Sequence, residues 1–505
     1  MSFIANIDQI VADNRNRLLG AHPSWTRVRL KEVARILNGY PFESSRFSKS
    51  EGSPLIRIRD ILDGRTETFY QGAIDQTFMV QRGEILVGMD GDFHCAPWGG
   101  DPALLNQRVC KITPDESRYA KQFLRYVLPG YLNAIHAETP SVTVKHLSSR
   151  TVAEIPLPLP PLSEQREIVA EIEEQFARLD AGVAALRRTQ ANLKRYRTAV
   201  LKAACEGRLV PTEAELYRNS KSKTAKLETG AALLARVLAE RRQNAKQGPK
   251  YKEPVTPDIS TLPLMPAGWT YASVEQLGFV QLGRQRAPQH HTGEFMRPYL
   301  RVANVFEDRI DLSDVKTMNF TPKEFEVFQL KPNDILLNEG QSLELIGRPA
   351  IYRGELPGSC FTNTLVRFRP CASLNVKYAF LVFRAFMHSG QFQKIAKWTT
   401  NIAHLGADRF AKLAVQLPPL AEQRRIVAEV ERRLSIAEGV EAAVKSNLQR
   451  ATRLRQSILK KAFSGGIGED ASSITRKYYA STNRYRGAGP TLSKQKRARL
   501  HQGGR

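Results

Sequence analysis

The chain has 505 residues, more than one hydrophobic core usually supports, so two to four domains are expected. Hydrophobic residues make up 42% and charged residues 25%, which excludes a wholly disordered chain. The formal net charge of +25 favours a polyanionic partner, chiefly nucleic acid, over an anionic membrane. A merely soluble basic protein would carry the same charge.

Membrane and secreted classes find no support in the sequence. No apolar stretch approaches the ~18 residues that span a bilayer, and residues 1–8 lack the basic and apolar regions of a secretory signal. The five cysteines include no pair spaced as in a zinc ribbon, and their odd number argues against a disulfide framework. We therefore expect free thiols in a cytoplasmic protein without a membrane partner.

Short β-type runs broken by Gly and Pro fill residues 1–158 and residues 266–416. This pattern predicts two α+β globular domains with exposed loops. Residues 54–61 of the first resemble residues 298–305 of the second, which indicates that the two domains share a common plan.

A long segment follows each domain, at residues 159–209 and 417–467, and the two begin almost identically. The stretch LPPLSEQREIVAE at 159–171 returns as LPPLAEQRRIVAE at 417–429. Apolar residues then recur in three- and four-residue steps, which predicts helices of about 45 residues and roughly 65 Å. A helix this long with a narrow apolar seam is typical of a coiled-coil strand.

The charges predict how the two helices pair. Residues 162–184 are mainly acidic, whereas the later part of that helix and the end of the second helix are basic. Antiparallel pairing sets each basic end against the more acidic start of the other helix and suits both helix dipoles. We therefore favour an α+β fold in which two similar globular domains are separated by two long helices that form an antiparallel coiled coil. Two independent solvated helices are the alternative.

Residues 210–265 are predicted to be a polar linker that contains a short helix over 231–242. Residues 468–505 are rich in Ser, Gly, Lys and Arg and almost free of aliphatic residues, so a basic disordered tail is predicted. The tail would add non-specific affinity for DNA or have no role.

The sequence lacks the motifs of several enzyme and cofactor-binding classes. The chain has no phosphate-binding P-loop, no glycine-rich cofactor turn and no Asn/Asp-Pro-Pro-Tyr segment of the kind that amino-methyltransferases use. The acidic run at 88–92 is better explained as a turn than as a metal site, and His290 and His291 lack a third ligand at metal spacing. We therefore expect no metal, no cofactor and no catalytic centre in this chain.

The repeated LPPLxEQRxIV motif at the heads of two long helices resembles the conserved regions of type I restriction–modification specificity subunits. Further stretches resemble that family's two target-recognition domains, namely residues 23–30, 83–86, 105–109, 266–269 and 333–336. The resemblance covers nearly all of residues 20–467.

The resemblance implies a reader of double-stranded DNA in which each domain reads one half of an asymmetric split site and the helix pair sets the gap. Two modification subunits that use S-adenosylmethionine would dock on the helices and methylate adenine, and restriction subunits that use ATP and Mg²⁺ would join to translocate and cleave. No cofactor is implied for this chain itself. The docking candidates lie at the helix heads: Leu162, Glu164, Gln165, Arg166, Leu420, Glu422, Gln423 and Arg424.

Side chains that suit base edges or phosphates are candidates for DNA contact. In the first domain these are Asn38, Tyr40, Arg57, Arg59, Arg65, Lys145 and His146. In the second they are Arg284, Gln285, Arg286, Arg301, Arg348, Asn401 and His404. Ordinary structural or surface use is the alternative for each. Arg57 and Arg301 recur at matching positions, so they suit phosphate positioning better than discrimination between two sequences.

Two other functions remain open at this point. The chain could itself cut DNA, in which case the purified protein would show nuclease activity with Mg²⁺ alone. It could instead be a structural adaptor whose coiled coil assembles partners, in which case the assembled complex would bind DNA without regard to sequence.

Overall fold

The computed structural model describes residues 6–13, 19, 22, 24–139, 145–220, 227–245, 252–399 and 402–464. The chain divides into two compact units. The first comprises Met1–Ala185 with Asn447–Arg505, and the second comprises Leu186–Ser446. Each unit therefore contains one globular domain and part of each long helix.

The first domain and its long helix are built from five helices and eleven strands in the described part of the chain. The helices are α1 (Ile7–Asp13), α2 (Leu30–Val33), α3 (Lys121–Glu138), α4 (Ser149–Ala153) and α5 (Leu162–Cys205). The strands are β1 (Thr26–Arg29), β2 (Ala34–Asn38), β3 (Phe47–Ser48), β4 (Ser53–Ile56), β5 (Phe69–Tyr70), β6 (Met79–Val80), β7 (Ile85–Gly88), β8 (Cys95–Pro97), β9 (Ala103–Leu105), β10 (Val109–Pro114) and β11 (Pro156–Leu159).

The remaining described elements continue in chain order. The helices are α6 (Glu213–Asn219), α7 (Gly230–Ala245), α8 (Val274–Leu277), α9 (Pro322–Phe328), α10 (Val376–His388), α11 (Gln391–Ile395), α12 (Ala407–Ala411) and α13 (Leu420–Phe463). The strands are β12 (Thr270–Ser273), β13 (Gly278–Leu282), β14 (Met296–Leu300), β15 (Val305–Phe306), β16 (Arg309–Ile310), β17 (Lys316–Asn319), β18 (Ile335–Asn338), β19 (Gly340–Gln341), β20 (Pro349–Ile351), β21 (Cys360–Phe361), β22 (Leu365–Pro370), β23 (Lys397–Trp398), β24 (Ala403–His404) and β25 (Ala414–Leu417).

The two globular domains share one sheet plan. An antiparallel four-stranded sheet runs in the order β2-β10-β7-β8 in the first and β13-β22-β18-β20 in the second. The central strands β7 and β18 are buried at every residue, as expected for short apolar runs. A long helix, α3 or α10, turns an apolar face with three- and four-residue spacing into the core.

A parallel strand pair confirms the match between residues 54–61 and 298–305. In the first domain Leu55 of β4 pairs with Leu104 of β9, and in the second Tyr299 of β14 pairs with Cys360 of β21. Leu55 and Tyr299 are corresponding residues in the repeated stretch. The likeness of the two halves therefore extends from the helices into the globular domains.

Each domain closes on itself before the chain enters its long helix. Strand β1 pairs with β11, and β12 pairs with β25, in both cases antiparallel. The prolines at 160–161 and 418–419 follow at once, and the helices begin at Leu162 and Leu420. A proline ahead of the first turn cannot extend the strand ladder and has a φ suited to a helix start.

The two long helices run antiparallel within each unit. In the first unit the Arg455 guanidinium lies 3.0 Å from the Asp180 carboxylate and 4.3 Å from the centroid of the Phe176 ring. In the second unit Arg197 lies 2.6 Å from Glu441. A higher number in α5 thus pairs with a lower number in α13. The antiparallel coiled coil predicted from charge is confirmed.

The apolar seam of the helix pair is deepest where a globular domain also covers it. Ile172 of α5 and Val430 of α13 are fully buried, whereas Val183, Leu186 and Leu193 in the middle of α5 are only half-buried. Two helices alone cannot enclose both of their apolar faces. The domains therefore contribute a large part of the burial at the helix ends.

The short helix predicted over 231–242 is present as α7, but the segment around it, predicted as a polar linker, packs into the second unit. Helix α7 buries Leu233 and Val237 completely, and the Arg241 guanidinium donates to the Gly278 carbonyl at 2.7 Å. The sequence pattern showed one apolar face but not the surface that covers it. Helix α6 precedes α7 within the same segment.

All five cysteines are free, as expected. Among the described residues no helix is both long enough and apolar enough to cross a membrane. The predicted basic tail at 468–505 lies outside the described residues, and so does Asn401.

Candidate nucleic-acid interface

A tryptophan fastens each globular domain to its own long helix. The indole nitrogen of Trp25 donates to Glu164 at 3.0 Å, and that of Trp269 donates to Glu422 at 2.9 Å. The two tryptophans directly precede strands β1 and β12, and the two glutamates lie in the first turns of α5 and α13. A carboxylate is favourable there because it faces the positive end of the helix dipole. The domain and its helix are thus held in one orientation.

A buried glutamine repeats this arrangement one residue further along. The side-chain oxygen of Gln165 accepts from the Ala120 amide at 2.7 Å, and that of Gln423 accepts from the Asn375 amide at 3.2 Å. Their amide nitrogens donate to the carbonyls of Pro160 and Pro418 at 2.9 and 3.0 Å. Both glutamines therefore connect the start of the long helix to the start of α3 or α10.

These contacts correct part of the predicted docking surface. Gln165, Glu422 and Gln423 are fully buried and hydrogen-bonded within the chain, so they offer no surface to a partner. Of the other docking candidates, Arg166 and Arg424 are exposed, and Leu162, Glu164 and Leu420 are half-buried. The docking role of these five stays a prediction.

In the first domain a polar cluster forms at the end of strand β7. The Asp90 carboxylate lies 3.0 Å from the Arg108 guanidinium and 2.6 Å from Nδ1 of His146. The Leu147 amide donates to the Met89 carbonyl at 2.7 Å, which holds the histidine segment beside this strand end. Arg108 and His146 have about half of their side chains exposed, at 56% and 50%. Two donors are thus presented at the surface around one carboxylate.

The second domain places a carboxylate and a histidine at the corresponding strand end. The Leu405 amide donates to the Glu339 carbonyl at 2.9 Å, and Nδ1 of His404 lies 3.8 Å from the Glu339 carboxylate. That carboxylate also accepts from the Gly406 amide at 3.1 Å. Since β7 and β18 hold the same place in their sheets, His146 and His404 are structural counterparts. Both were predicted as DNA-contact residues.

The other candidates of the first domain lie on its surface. Asn38 donates to the Ser149 hydroxyl at 3.1 Å, and the half-exposed Tyr40 ring lies 5.2 Å from each of the Phe42 and Phe78 rings. Three arginines are exposed, namely Arg57, Arg59 and Arg65. Lys145 is half-buried and donates to the His136 carbonyl at 2.6 Å. The lysine therefore fastens its segment to α3 more than it offers a free charge.

Arg57 and Arg301 hold equivalent places, as their matching positions predicted. The Arg57 amide donates to the Asp60 side chain at 2.8 Å, and the Arg301 amide donates to the Asn304 side chain at 3.0 Å. Each arginine thus precedes a 3-10 turn. Arg57 is exposed, whereas Arg301 is mostly covered and forms an ion pair with Asp314.

The structure corrects the prediction for Arg284. Its side chain is 92% covered, since only 8% is exposed, and it donates to Glu324 at 2.8 Å and to the Asn319 carbonyl at 2.7 Å. A buried guanidinium with these partners supports the fold of the second domain. It has little surface left for a base or phosphate.

The remaining candidates of the second domain differ in exposure. Gln285 and Arg286 are exposed, and the Arg286 guanidinium lies 5.9 Å from the Tyr299 ring centroid. Arg348 is half-buried, and its guanidinium lies 4.6 Å from the centroid of the Phe306 ring. Burial lowers the pKa of Arg348 from its usual value. Arg286 is thus better placed than Arg348 to meet DNA.

Sequence reasoning missed three polar residues at the same strand ends. Gln107 and Arg108 are exposed just before β10, and Asn363 is half-exposed just before β22. Their backbones match, because the Gln107 amide donates to the Tyr40 carbonyl at 3.0 Å and the Asn363 amide donates to the Arg284 carbonyl at 2.9 Å. Aligning the two domains across this loop would have found them.

In the part of the chain that the structure describes, neither the acidic run at 88–92 nor the pair His290 and His291 forms a metal site. No group of three or more His, Cys, Asp or Glu side chains there could hold a metal ion. Asp90 of the acidic run is engaged by Arg108 and His146. His290 lies 3.2 Å from the Arg284 guanidinium, a poor setting for a metal ligand.

Comparison with known proteins identifies the family. The family model "Type I restriction modification DNA specificity domain" matches residues 23–182 and 270–441, which are the two domains with the first halves of their helices. The chain belongs to this family. Specificity subunits provide the DNA specificity of type I restriction–modification systems, and this chain is one of them.

Individual relatives agree over almost the whole length. The chain is 34% identical to the type I restriction enzyme EcoBI specificity subunit of Escherichia coli over 489 residues, covering 92% of this chain and 91% of the relative. It is 21% identical to the EcoKI specificity subunit of Escherichia coli strain K12, covering 88% and 89%. A chain from a solved type I R-M system has the same fold, with a TM-score of 0.55 and 19% identity over 88% of this chain and 99% of that chain.

Proposed function

We propose that each globular domain of this specificity subunit reads one half of an asymmetric, bipartite site in double-stranded DNA. The observation that carries the proposal is the repeated strand end: a carboxylate follows β7 and another follows β18, and a histidine from a separate segment lies beside each, amid different neighbours. A shared frame with different side chains suits two readers with different targets. The net charge of +25 supplies the attraction to the phosphate backbone that such reading needs.

The antiparallel helix pair sets the gap between the half-sites in this proposal. Each helix has 44 residues. At 1.5 Å per residue this is roughly 66 Å, or about two turns of B-DNA. A coiled coil resists bending and stretching better than a loop linker would, so it can act as a ruler.

The chemistry belongs to the partners in this proposal. Two modification subunits that use S-adenosylmethionine dock on the helix heads and methylate the N6 atom of adenine in each half-site. Restriction subunits that use ATP and Mg²⁺ then join to translocate and cleave unmodified DNA in the cytoplasm. The exposed Arg166 and Arg424 are docking candidates on this chain, together with the half-buried Leu162, Glu164 and Leu420.

Mapping of methylated adenine tests the proposal. Cells that express this chain with its modification subunits should carry N6-methyladenine at one bipartite motif with two unlike halves and a fixed gap. Methylation without a motif, or at a single undivided motif, would contradict the proposal. Omitting this chain is the control, and it should abolish the motif.

The two alternatives make separate predictions. If the chain itself cut DNA, the purified protein would nick DNA with Mg²⁺ alone, and we expect no such activity. If it were only an adaptor, the assembled complex would bind all sequences equally at every salt concentration. We expect specific sites to keep their advantage over non-specific DNA as salt rises.

A further inference from the structure

One loop position differs between the two strand-end clusters. The Met89 amide donates to the Arg108 carbonyl at 3.0 Å, and the Glu339 amide donates to the Thr364 carbonyl at 2.9 Å. The next residue in each case, Val109 or Leu365, opens the strand that pairs with β7 or β18. Arg108 and Thr364 therefore occupy the same place in two copies of one fold.

The Arg108 side chain is held at the surface by Asp90. Its Nη1 atom lies 3.0 Å from the Asp90 carboxylate, and 56% of the arginine side chain is exposed. Asp90 is itself only 18% exposed and is also fixed by His146 at 2.6 Å. A guanidinium has five donors, so pairing with one carboxylate oxygen leaves a donor edge for another acceptor.

The Thr364 side chain is turned to the interior of its own domain. Its hydroxyl accepts from the Val302 amide at 3.1 Å and lies 3.2 Å from the Thr362 hydroxyl. The residue is half-buried. The second domain thus has no cation at the place where the first domain presents one.

We propose that the residue at this position is a specificity determinant: Arg108 reads a guanine in the half-site of the first domain, and Thr364 leaves the second domain without that contact. Arginine matches the O6 and N7 acceptors of guanine in the major groove through two donors, and a guanidinium fixed by a neighbouring carboxylate is already oriented for this. Asp90 is then a positioning residue. The inference rests on the proposed division of the site between the two domains.

Mapping of N6-methyladenine in cells that express an Arg108→Thr variant with the modification subunits tests the proposal. One guanine position in one half-site should lose its preference by roughly 5- to 150-fold, the range for one bidentate base contact. The other half-site and the gap should be unchanged. Asp90→Asn should weaken the preference at the same guanine, because the guanidinium is no longer held.

Arg82→Thr is the matched control. Arg82 is also an exposed arginine of the first domain, but it precedes β7 and lies at the opposite end of this strand from Asp90. Its replacement removes the same charge and should leave both half-sites as they are. If the Arg108→Thr variant yields no methylation, the methylation map of the Arg108→Gln variant is used instead. The same loss of guanine preference is expected.

Three results would overturn the inference. The first is a wild-type motif with no guanine in either half. The second is an unchanged guanine preference in the Arg108 variants. The third is a uniform loss of methylation at all sites with the motif intact, which would make Arg108 a phosphate contact. A wild-type map without a bipartite motif would instead refute the division of the site itself, whatever the variants show.

Discussion

The indole nitrogen of Trp269 donates a hydrogen bond to the Glu422 carboxylate at 2.9 Å, and both side chains are buried. The same carboxylate accepts from the Glu213 amide at 3.0 Å. Burial raises the pKa of Glu422, and the two donors act against that rise. One side chain therefore joins the start of the second domain, the segment before it and the head of its long helix.

Removal of this donor should destabilise the second unit. Trp269→Phe leaves a buried carboxylate short of one partner, which typically costs about 1–3 kcal/mol. Trp25→Phe is the matched variant, and its effect should be smaller because Glu164 is half-buried and water can replace the indole. Hydrogen exchange of residues 420–430 and of residues 162–172 measures the two effects. Equal loss of protection in both helices would contradict the account.

The second unit should also lose stability in acid through Glu307. Burial alone would raise the pKa of this carboxyl, but hydrogen bonds from His388 at 3.0 Å and Arg384 at 2.7 Å outweigh it and lower the pKa to about 2. A lowered pKa stabilises the fold above the usual value of 4.5, and this stabilisation is lost as the pH falls from 4.5 towards 2.

Glu307→Gln tests this dependence. Near neutral pH the variant should unfold at lower urea, with a loss of up to about 3 kcal/mol, because Arg384 and His388 lose their anionic partner. The gap between variant and wild type should narrow steadily as the pH falls from 4.5 to about 2.5. A gap of the same size at pH 6 and pH 2.5 would show that Glu307 is not the group responsible.

Helix α7 should behave as part of the second domain and not as a linker. Leu233→Ala opens a cavity at a fully buried site, which typically costs about 2–5 kcal/mol. Leu234→Ala is the neighbouring control and should cost less, since Leu234 is only half-buried. Thermal unfolding of both variants compares the two. Similar midpoints for both would restore the linker interpretation.

Substitutions of Arg284 and Arg286 should distinguish a structural role from a role in DNA recognition. Arg284→Ala removes a buried guanidinium with its bonds to the half-buried Glu324 and the Asn319 carbonyl, and should lower stability by about 1–3 kcal/mol. Arg286→Ala removes an exposed side chain and should leave stability unchanged while weakening methylation of one half-site. Unfolding curves and methylation maps of both variants provide the check. Unchanged methylation would remove Arg286 from the interface.

The helices and their pairing could be predicted because their signals are local and repeated. Steps of three and four residues mark each helix, and the charge gradient along residues 162–205 indicates its direction of pairing. The repeat at 159 and 417 needed no knowledge of tertiary structure. Both helix starts fall three residues after the start of the motif.

The site was less predictable because burial depends on distant residues. Arg284 is of a residue type expected to contact DNA, but its hydrogen bond to Glu324, 40 positions away in the sequence, gives it a structural role. Gln165 looked like a surface residue of an exposed helix head until α3 was placed against it. Arg108 is held in place by Asp90, which His146 also contacts, and these two residues lie on other segments of the chain. None of these relations has a periodic signature.

A matched change in the length of both long helices tests the central claim most directly. Seven residues, about two turns, would be inserted after Ala191 in α5 and after Lys445 in α13, so that the apolar seam stays on the same face. The added length of ~10 Å corresponds to roughly three base pairs at 3.4 Å each. In the methylation map, the gap should grow by about three base pairs while both half-sites keep their sequence. An unchanged gap, or altered half-sites, would contradict the account.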